Sequence, residues 1–239
     1  QENLPKLHRI LITKQYISDP QIMFGGIGDA YSDQVPLQIG QFESDNRMDD
    51  QLGAIYLEGG GGGQMCESYE LALYYMAQFT KIDCMDKRGE KGFLFITGDE
   101  KVYPHVSKEQ VKNLIGDTLQ SDISTKTVVE NLKNLYHIFF ILPNHANHGG
   151  NKEVINSWKD LLGPEQVIQL EDINALSETI AMTIGLVSGT ASSVDDDLKS
   201  VGVVDTKTTA VVRSATNSIK RGAVATVGSV QNGIIPGLS

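Results

Sequence analysis

Short apolar runs, each closed by a turn signal and each followed by a helical stretch, are what most narrow the folds open to this chain. Gly92 to Thr97 packs Phe93, Leu94, Phe95 and Ile96 together before Gly98 and Asp99 end the run. Tyr136 to Leu142 is the most β-like run and stops at Pro143 and Asn144, and Gln166 to Leu170 is a shorter one. Helical spacing fills the gaps at Ser107 to Leu119, Thr125 to Leu135 and Val154 to Leu162, and Ile173 to Leu186 closes the series. Ser107 with Gln110 three residues on has capping-box spacing. Strands separated by helices predict βαβ units, a mostly parallel sheet, and a binding edge at the carboxyl ends of its strands.

The first third fits the same plan. Asn3 to Ile17 reads as a helix stopped by Ser18, Asp19 and Pro20, and Gln21 to Ile27 as a strand closed by Gly28 and Asp29. Val35 to Phe42 reads as an edge strand because Pro36 sits at its start. Met48 to Leu57 reads as a short helix or helix-strand hybrid, and Glu67 to Thr80 is strongly helical and apolar. The last aromatic residue is Trp158, and small residues dominate from Val187 onward. This divides the chain into an α/β domain at 1–186 and a weakly helical or mobile small-residue extension at 187–239. Ser193 or Asp195, and Asp205, are the caps expected for two short tail helices.

Charge excludes some partners. Of 20 basic and 30 acidic residues, 15 and 26 lie in 1–186, giving −11, and 5 and 4 in 187–239, giving +1, for a total of −10. A chain this acidic is poorly suited to nucleic acid or an anionic membrane. The longest uninterrupted apolar run, Leu71 to Ala77, is far short of the roughly 20 residues of a membrane span. Two cysteines, Cys66 and Cys84, make neither a disulfide scaffold nor a zinc module and fit a reducing, cytoplasmic setting. Gln1 at the start, with no signal segment behind it, reads as a cut through a longer protein.

Three loops carry the chemistry. Glu58 leads into Gly59, Gly60, Gly61, Gly62 and Gly63, then Gln64, Met65, Cys66, Glu67, Ser68, Tyr69 and Glu70. Five glycines are costly to order, so the loop reads as a close approach of backbone to a ligand at a helix start more than as a connector. It is not a phosphate loop, which needs Lys and then Ser or Thr after its last glycine. Asp29 and Asp33 follow one strand, and Asp99 and Glu100 another. Aspartate is a common turn residue, yet carboxylates at strand ends are also where hard cations find oxygen ligands. His145 and His148 read as a solvated loop, Cys66 as a buried helical thiol, and Glu43 with Asp45 as a solvated strand end.

Taken in order, Gly28-Asp29-Ala30-Tyr31-Ser32-Asp33, then Pro36 to Asp45, then Leu57-Glu58 with the glycines and Glu67-Ser68-Tyr69-Glu70-Leu71-Ala72, then Phe95-Ile96-Thr97-Gly98-Asp99-Glu100 resembles bacterial and phage-borne von Willebrand factor A-like proteins over about 1–186. The resemblance implies a doubly wound sheet with a metal-ion-dependent adhesion site at its carboxyl edge. It also implies a non-enzymatic role as an adaptor or assembly factor, in some relatives beside MoxR-type AAA+ ATPases. Of that site's three loops, Asp99 fits the third, and Gln64 or Ser68 stands near the second in place of the usual Thr. The Asp-x-Ser-x-Ser loop of the first is missing, which on this resemblance puts the first strand upstream of Gln1 or makes this a branch that lost the site. The reading requires the segments around Ile22, Phe95 and Phe139 to share one sheet.

The expected function is therefore a protein-interaction module in a partner complex, with Mg²⁺ or another divalent cation held weakly or not at all by residues 1–239. Asp29, Asp33, Gly59 to Gly63, Glu67 and Glu100 form the partner-binding loops. The alternatives are a metal-assisted hydrolase using Asp29, Asp33 and Asp99, and a structural protein whose tail builds an assembly.

Overall fold

The computed structural model describes residues 3–59 and 65–222. The chain order begins α1 (Asn3–Lys14), β1 (Gly25–Ile27), β2 (Leu37–Ile39), α2 (Arg47–Ala54), β3 (Cys66–Glu67), α3 (Tyr69–Gln78) and α4 (Asp83–Arg88). Next come β4 (Gly92–Thr97), β5 (Lys101–Val102), β6 (His105–Val106), α5 (Lys108–Gln110) with a π-helical turn at Val111–Ile115, β7 (Ile123–Ser124) and α6 (Thr125–Leu132). The described chain ends with β8 (Tyr136–Pro143), α7 (Lys152–Leu162), β9 (Val167–Leu170), α8 (Leu176–Val187), α9 (Val194–Ser200) and α10 (Thr206–Thr216).

The apolar run at Tyr136 becomes β8, the middle of a parallel sheet ordered β4-β8-β9, with Phe95 opposite Phe139 and Ile141 opposite Ile168. Both faces of β8 are covered, which is why the run is apolar at nearly every position and does not alternate. Ile138, Phe140 and Leu142 enter a core with Leu71 and Tyr74 of α3, Leu132 of α6 and Trp158 of α7. Phe139 and Ile141 enter a second core with Leu7 and Ile10 of α1, Met182 of α8, Leu198 of α9 and Val212 of α10. Helices on both faces of a parallel sheet make this an α/β chain.

One requirement of the resemblance is not met by the described residues. Phe95 and Phe139 share the sheet, but Ile22 bridges only Glu43, and β1 pairs antiparallel with β2 as a separate hairpin, Gly26 opposite Gln38. Gly25 and Gly26 give β1 little side chain with which to pack. In a doubly wound sheet the second and fourth strands flank the first, and β1 and β4 flank a cavity that no described strand fills. Two further pairs are short: β3 with β5, parallel, and β6 with β7, antiparallel.

The segment expected as a loosely packed extension is integral to the second core as far as Ile219. Val194, Leu198, Val201, Val211, Val212, Ala215 and Ile219 are buried there, small β-branched and aliphatic side chains doing without aromatics. Ser193 and Asp205 cap α9 and α10, accepting from the Asp196 amide and from the Lys207 and Thr208 amides. Residues 223–239 lie outside the described residues. Asp197 ties α9 to the end of α1: it accepts from the Tyr16 hydroxyl at 2.8 Å and from Ser192, and the Lys14 ammonium lies 2.7 Å away. Burial pushes the Asp197 carboxyl up, but Lys14, Tyr16 and Ser192 outweigh it and hold the group below its ordinary value. The Tyr16 ring rests so close to α8 that a Cβ at Gly185 would stand 2.8 Å from it, so only glycine fits that turn of helix.

Candidate functional site

The carboxyl ends of β1 and β4 and the start of α3 bring together most of the acidic residues singled out in the sequence. Asp29, two residues past the end of β1, is only 2% exposed. It accepts from the Tyr103 hydroxyl at 3.2 Å, the Tyr31 amide at 3.1 Å and the Ser68 hydroxyl at 3.4 Å. Ser68 in turn accepts from the Ala30 amide at 2.9 Å, so the turn after β1 is pinned to the start of α3. Asp33 folds back over the same turn, its Oδ2 accepting the Asp29 amide at 2.8 Å. Glu58, before the glycine loop, accepts the amides of Gln34 and Val35.

Burial, and after it crowding of like charge, shows in the titration of the neighbours. Glu67 is pushed up to about 7, by burial first and then by Glu100, Asp33, Asp29 and Asp99. Glu70, fully buried on α3, is pushed up to about 8 by burial; the amides of Glu70 and Tyr103 pull it back, and Asp29 and Glu67 push it further. Glu100 is raised by burial and by Asp99, and His148 opposes that rise. Two carboxyls at one edge therefore hold protons near neutral pH, the response expected when burial and like charge both disfavour the anion.

Asp99 belongs to the same edge but has different partners. Its Oδ2 accepts the His148 amide at 3.0 Å, and the His148 ring Nδ1 lies 3.7 Å from it and 4.0 Å from Glu100. Trp158 donates its indole N–H to the Glu100 carbonyl at 2.8 Å, fixing the turn from beneath. Gly98 is required by close packing, since a Cβ there would stand 2.0 Å from the Tyr69 hydroxyl and 2.9 Å from the ring carbon bearing it. Gly98→Ala is expected to destabilise the fold by about 1–3 kcal/mol through overpacking, read as a shifted urea midpoint. Tyr69→Phe in the same chain is expected to recover part of that loss, and additive effects of the two changes would refute this account.

Of the residues expected to hold a cation, Asp99 and Ser68 have separate partners, Asp99 with His148 and Ser68 with Asp29 and Ala30. Gln64 and Gly60 to Gly63 lie outside the described residues, and Gly59 has open space around it. Among the described residues no three His, Cys, Asp or Glu side chains are placed to hold a metal ion. Cys66 is in β3 and not in a helix, and burial pushes its thiol up, away from the thiolate a nucleophile needs. His145 is exposed, whereas His148 reaches the acidic edge.

Sequence reading missed Glu70, Tyr103 and the position of His148. Glu70 stands three residues after Glu67, a helical spacing in the sequence, although Glu67 ends β3 and only Glu70 lies on α3. Tyr103 carried no such signal, because it reaches Asp29 across 74 positions of chain. Compared with known families, curated proteins and solved structures, the chain finds no match in any of the three.

Proposed function

We propose that the chain is a non-enzymatic protein-interaction module with an incomplete metal-ion-dependent adhesion site, of the von Willebrand factor A type but departing from it in that the hairpin after Ile22 stands apart from the sheet of Phe95 and Phe139. The observation that carries this reading is the meeting of Asp29, Asp33, Glu67, Asp99 and Glu100 at one edge, where burial first and then the charges of the other four raise Glu67. Such an edge suits recognition of a partner through charge and hydrogen bonds. The raised thiols of Cys66 and Cys84 are poor nucleophiles, which weighs against covalent catalysis. A MoxR-type AAA+ ATPase is the partner class the motif order suggests, in a cytoplasmic setting.

Two measurements test this. Calorimetric titration of residues 1–239 with Mg²⁺, Mn²⁺ and Ca²⁺ is expected to give weak or no specific binding, because these ions need several oxygen ligands held together. A one-to-one isotherm of micromolar affinity or tighter, lost in Asp99→Ala, would show a complete site and overturn the incomplete one. In biolayer interferometry against a purified MoxR-type ATPase, capture is expected and should weaken at least tenfold in Asp99→Ala. Absence of capture, together with phosphoester turnover in Mg²⁺ or Mn²⁺ that Asp99→Ala abolishes, would assign the edge to a hydrolase.

A further inference from the structure

A cavity of about 1060 Å³ runs the length of β4, its lining including every residue from Gly92 to Thr97 and, from the hairpin, Gly25 and Ile27 of β1. The direction of the backbone groups on both strands follows from bonds they already make. Gly92 and Gly98 donate to the Leu135 and Ile141 carbonyls on the β8 side. A parallel strand bonds to alternate sides residue by residue, so Phe93, Phe95 and Thr97 turn their N–H and C=O groups away from β8, toward the cavity. In the hairpin, Gly40 donates to the Phe24 carbonyl and Gly28 to the Pro36 carbonyl. Phe24, Gly26 and Gly28 thus bond toward β2, and Gly25 and Ile27 turn their groups outward. Among the described residues neither edge has a second strand beside it.

The other two walls are apolar helices. Leu11 of α1 and Ile184 of α8 line one side, Leu73 and Met76 of α3 the other. A strand seated there would be covered on both faces, so it must be apolar at successive positions. Size sets a scale for its length. With a rise of about 3.3 Å per residue, about 4.8 Å between strands and about 10 Å between layers, a strand residue occupies roughly 160 Å³, so the cavity corresponds to about six to seven. β4 itself has six.

We propose that this cavity is a strand-acceptor site for a partner polypeptide, which inserts an extended segment of about six apolar residues. The segment bonds to β1 on one side and β4 on the other, joining two, one and three strands into a single sheet. Two rows of backbone donors and acceptors favour a peptide over a lipid chain, which offers them nothing. Helices on both sides keep the edge strand of a second folded copy from reaching β4. The proposal goes beyond the interaction-module reading and stands or falls separately from it.

The test is hydrogen exchange on the full chain with a soluble probe peptide of six alternating valines and isoleucines flanked by two lysines at each end. The peptide is expected to slow exchange at least tenfold at Gly25, Ile27, Phe93, Phe95 and Thr97. The same peptide with alternate backbone amides N-methylated keeps its side chains but loses the bonding edge, and is expected to give no protection. Because the control change is in the peptide, the folding of the protein is not at issue. Equal protection by both peptides, or by laurate, would make the cavity a general apolar pocket and overturn the proposal. So would no protection by either peptide. Protection that rises with protein concentration alone, with doubling of mass in light scattering, would assign the cavity to a second copy instead.

Discussion

Glu70→Gln is expected to stabilise the protein at pH 8 while changing it little at pH 5. Glu70 is fully buried, and its carboxyl is pushed from 4.5 to about 8, by burial above all. In the folded chain it keeps its proton through neutral pH, whereas in the unfolded chain it has lost it. Between 4.5 and about 8 the folded state therefore binds the extra proton, and stability falls as pH rises, by at most about 1.4 kcal/mol per unit. The contribution is fully present below the unfolded value and is gone above the folded one. Glutamine keeps the shape but has no proton to lose. Unfolding free energies of both chains from urea titration should coincide near pH 5 and diverge toward pH 8, with the variant higher by a few kcal/mol. A constant gap across that range would mean that Glu70 does not titrate in the folded state.

Trp158→Ala is expected to cost about 3–5 kcal/mol, the range for deleting a large buried aromatic side chain. The Trp158 ring stacks on Phe140 at 3.9 Å, meets Tyr69 edge-on at 5.3 Å and is fully buried. For a domain of this size the melting midpoint should fall by roughly 10 °C. Trp158→Phe separates packing from hydrogen bonding: it keeps a ring on Phe140 but leaves the Glu100 carbonyl without its 2.8 Å donor. That variant is expected to lose about 1–2 kcal/mol and to speed amide exchange around Asp99 and Glu100. If exchange there were unchanged, the indole would be holding the core and not the acidic turn.

The elements best read in the sequence are those whose local signal and burial agree. Phe93 to Ile96 and Tyr136 to Leu142 form parallel strands, and the helical spacing at Glu67 to Thr80, Thr125 to Leu135, Val154 to Leu162 and Ile173 to Leu186 yields α3, α6, α7 and α8. The Ser107 cap forms as its spacing implies, yet the helix it starts soon widens to a π-turn at Val111, which no capping rule foresees. β5, β6 and β7 have two residues each, too short for a period to register. The tail misled for a different reason. Absence of aromatics read as absence of a core, whereas Val211, Val212 and Ala215 fill their place against α8 and β9 by number and not by size. At the acidic edge Asp29, Glu67 and Asp99 were legible as strand-end residues, but their grouping with Tyr103 and His148 depends on how distant loops fold back, which local pattern does not encode.

The two cores also differ in how widely their residues are scattered along the chain, and that bears on the order of folding. The buried members of the first run from Tyr69 to Val167, while those of the second run from Leu7 to Ile219. Tyr16 finds its acceptor on Asp197 181 positions later. During synthesis α1 is made well before its packing surface, α8 with α9 and α10. Long-range contacts of this kind close slowly because the intervening chain must be ordered before they form. The face built around Trp158 is able to assemble while Leu7, Ile10 and Leu11 still lack their neighbours. Helix α1 then leaves the ribosome long before it is secured, and for that interval its apolar stripe is open to chaperones or to aggregation.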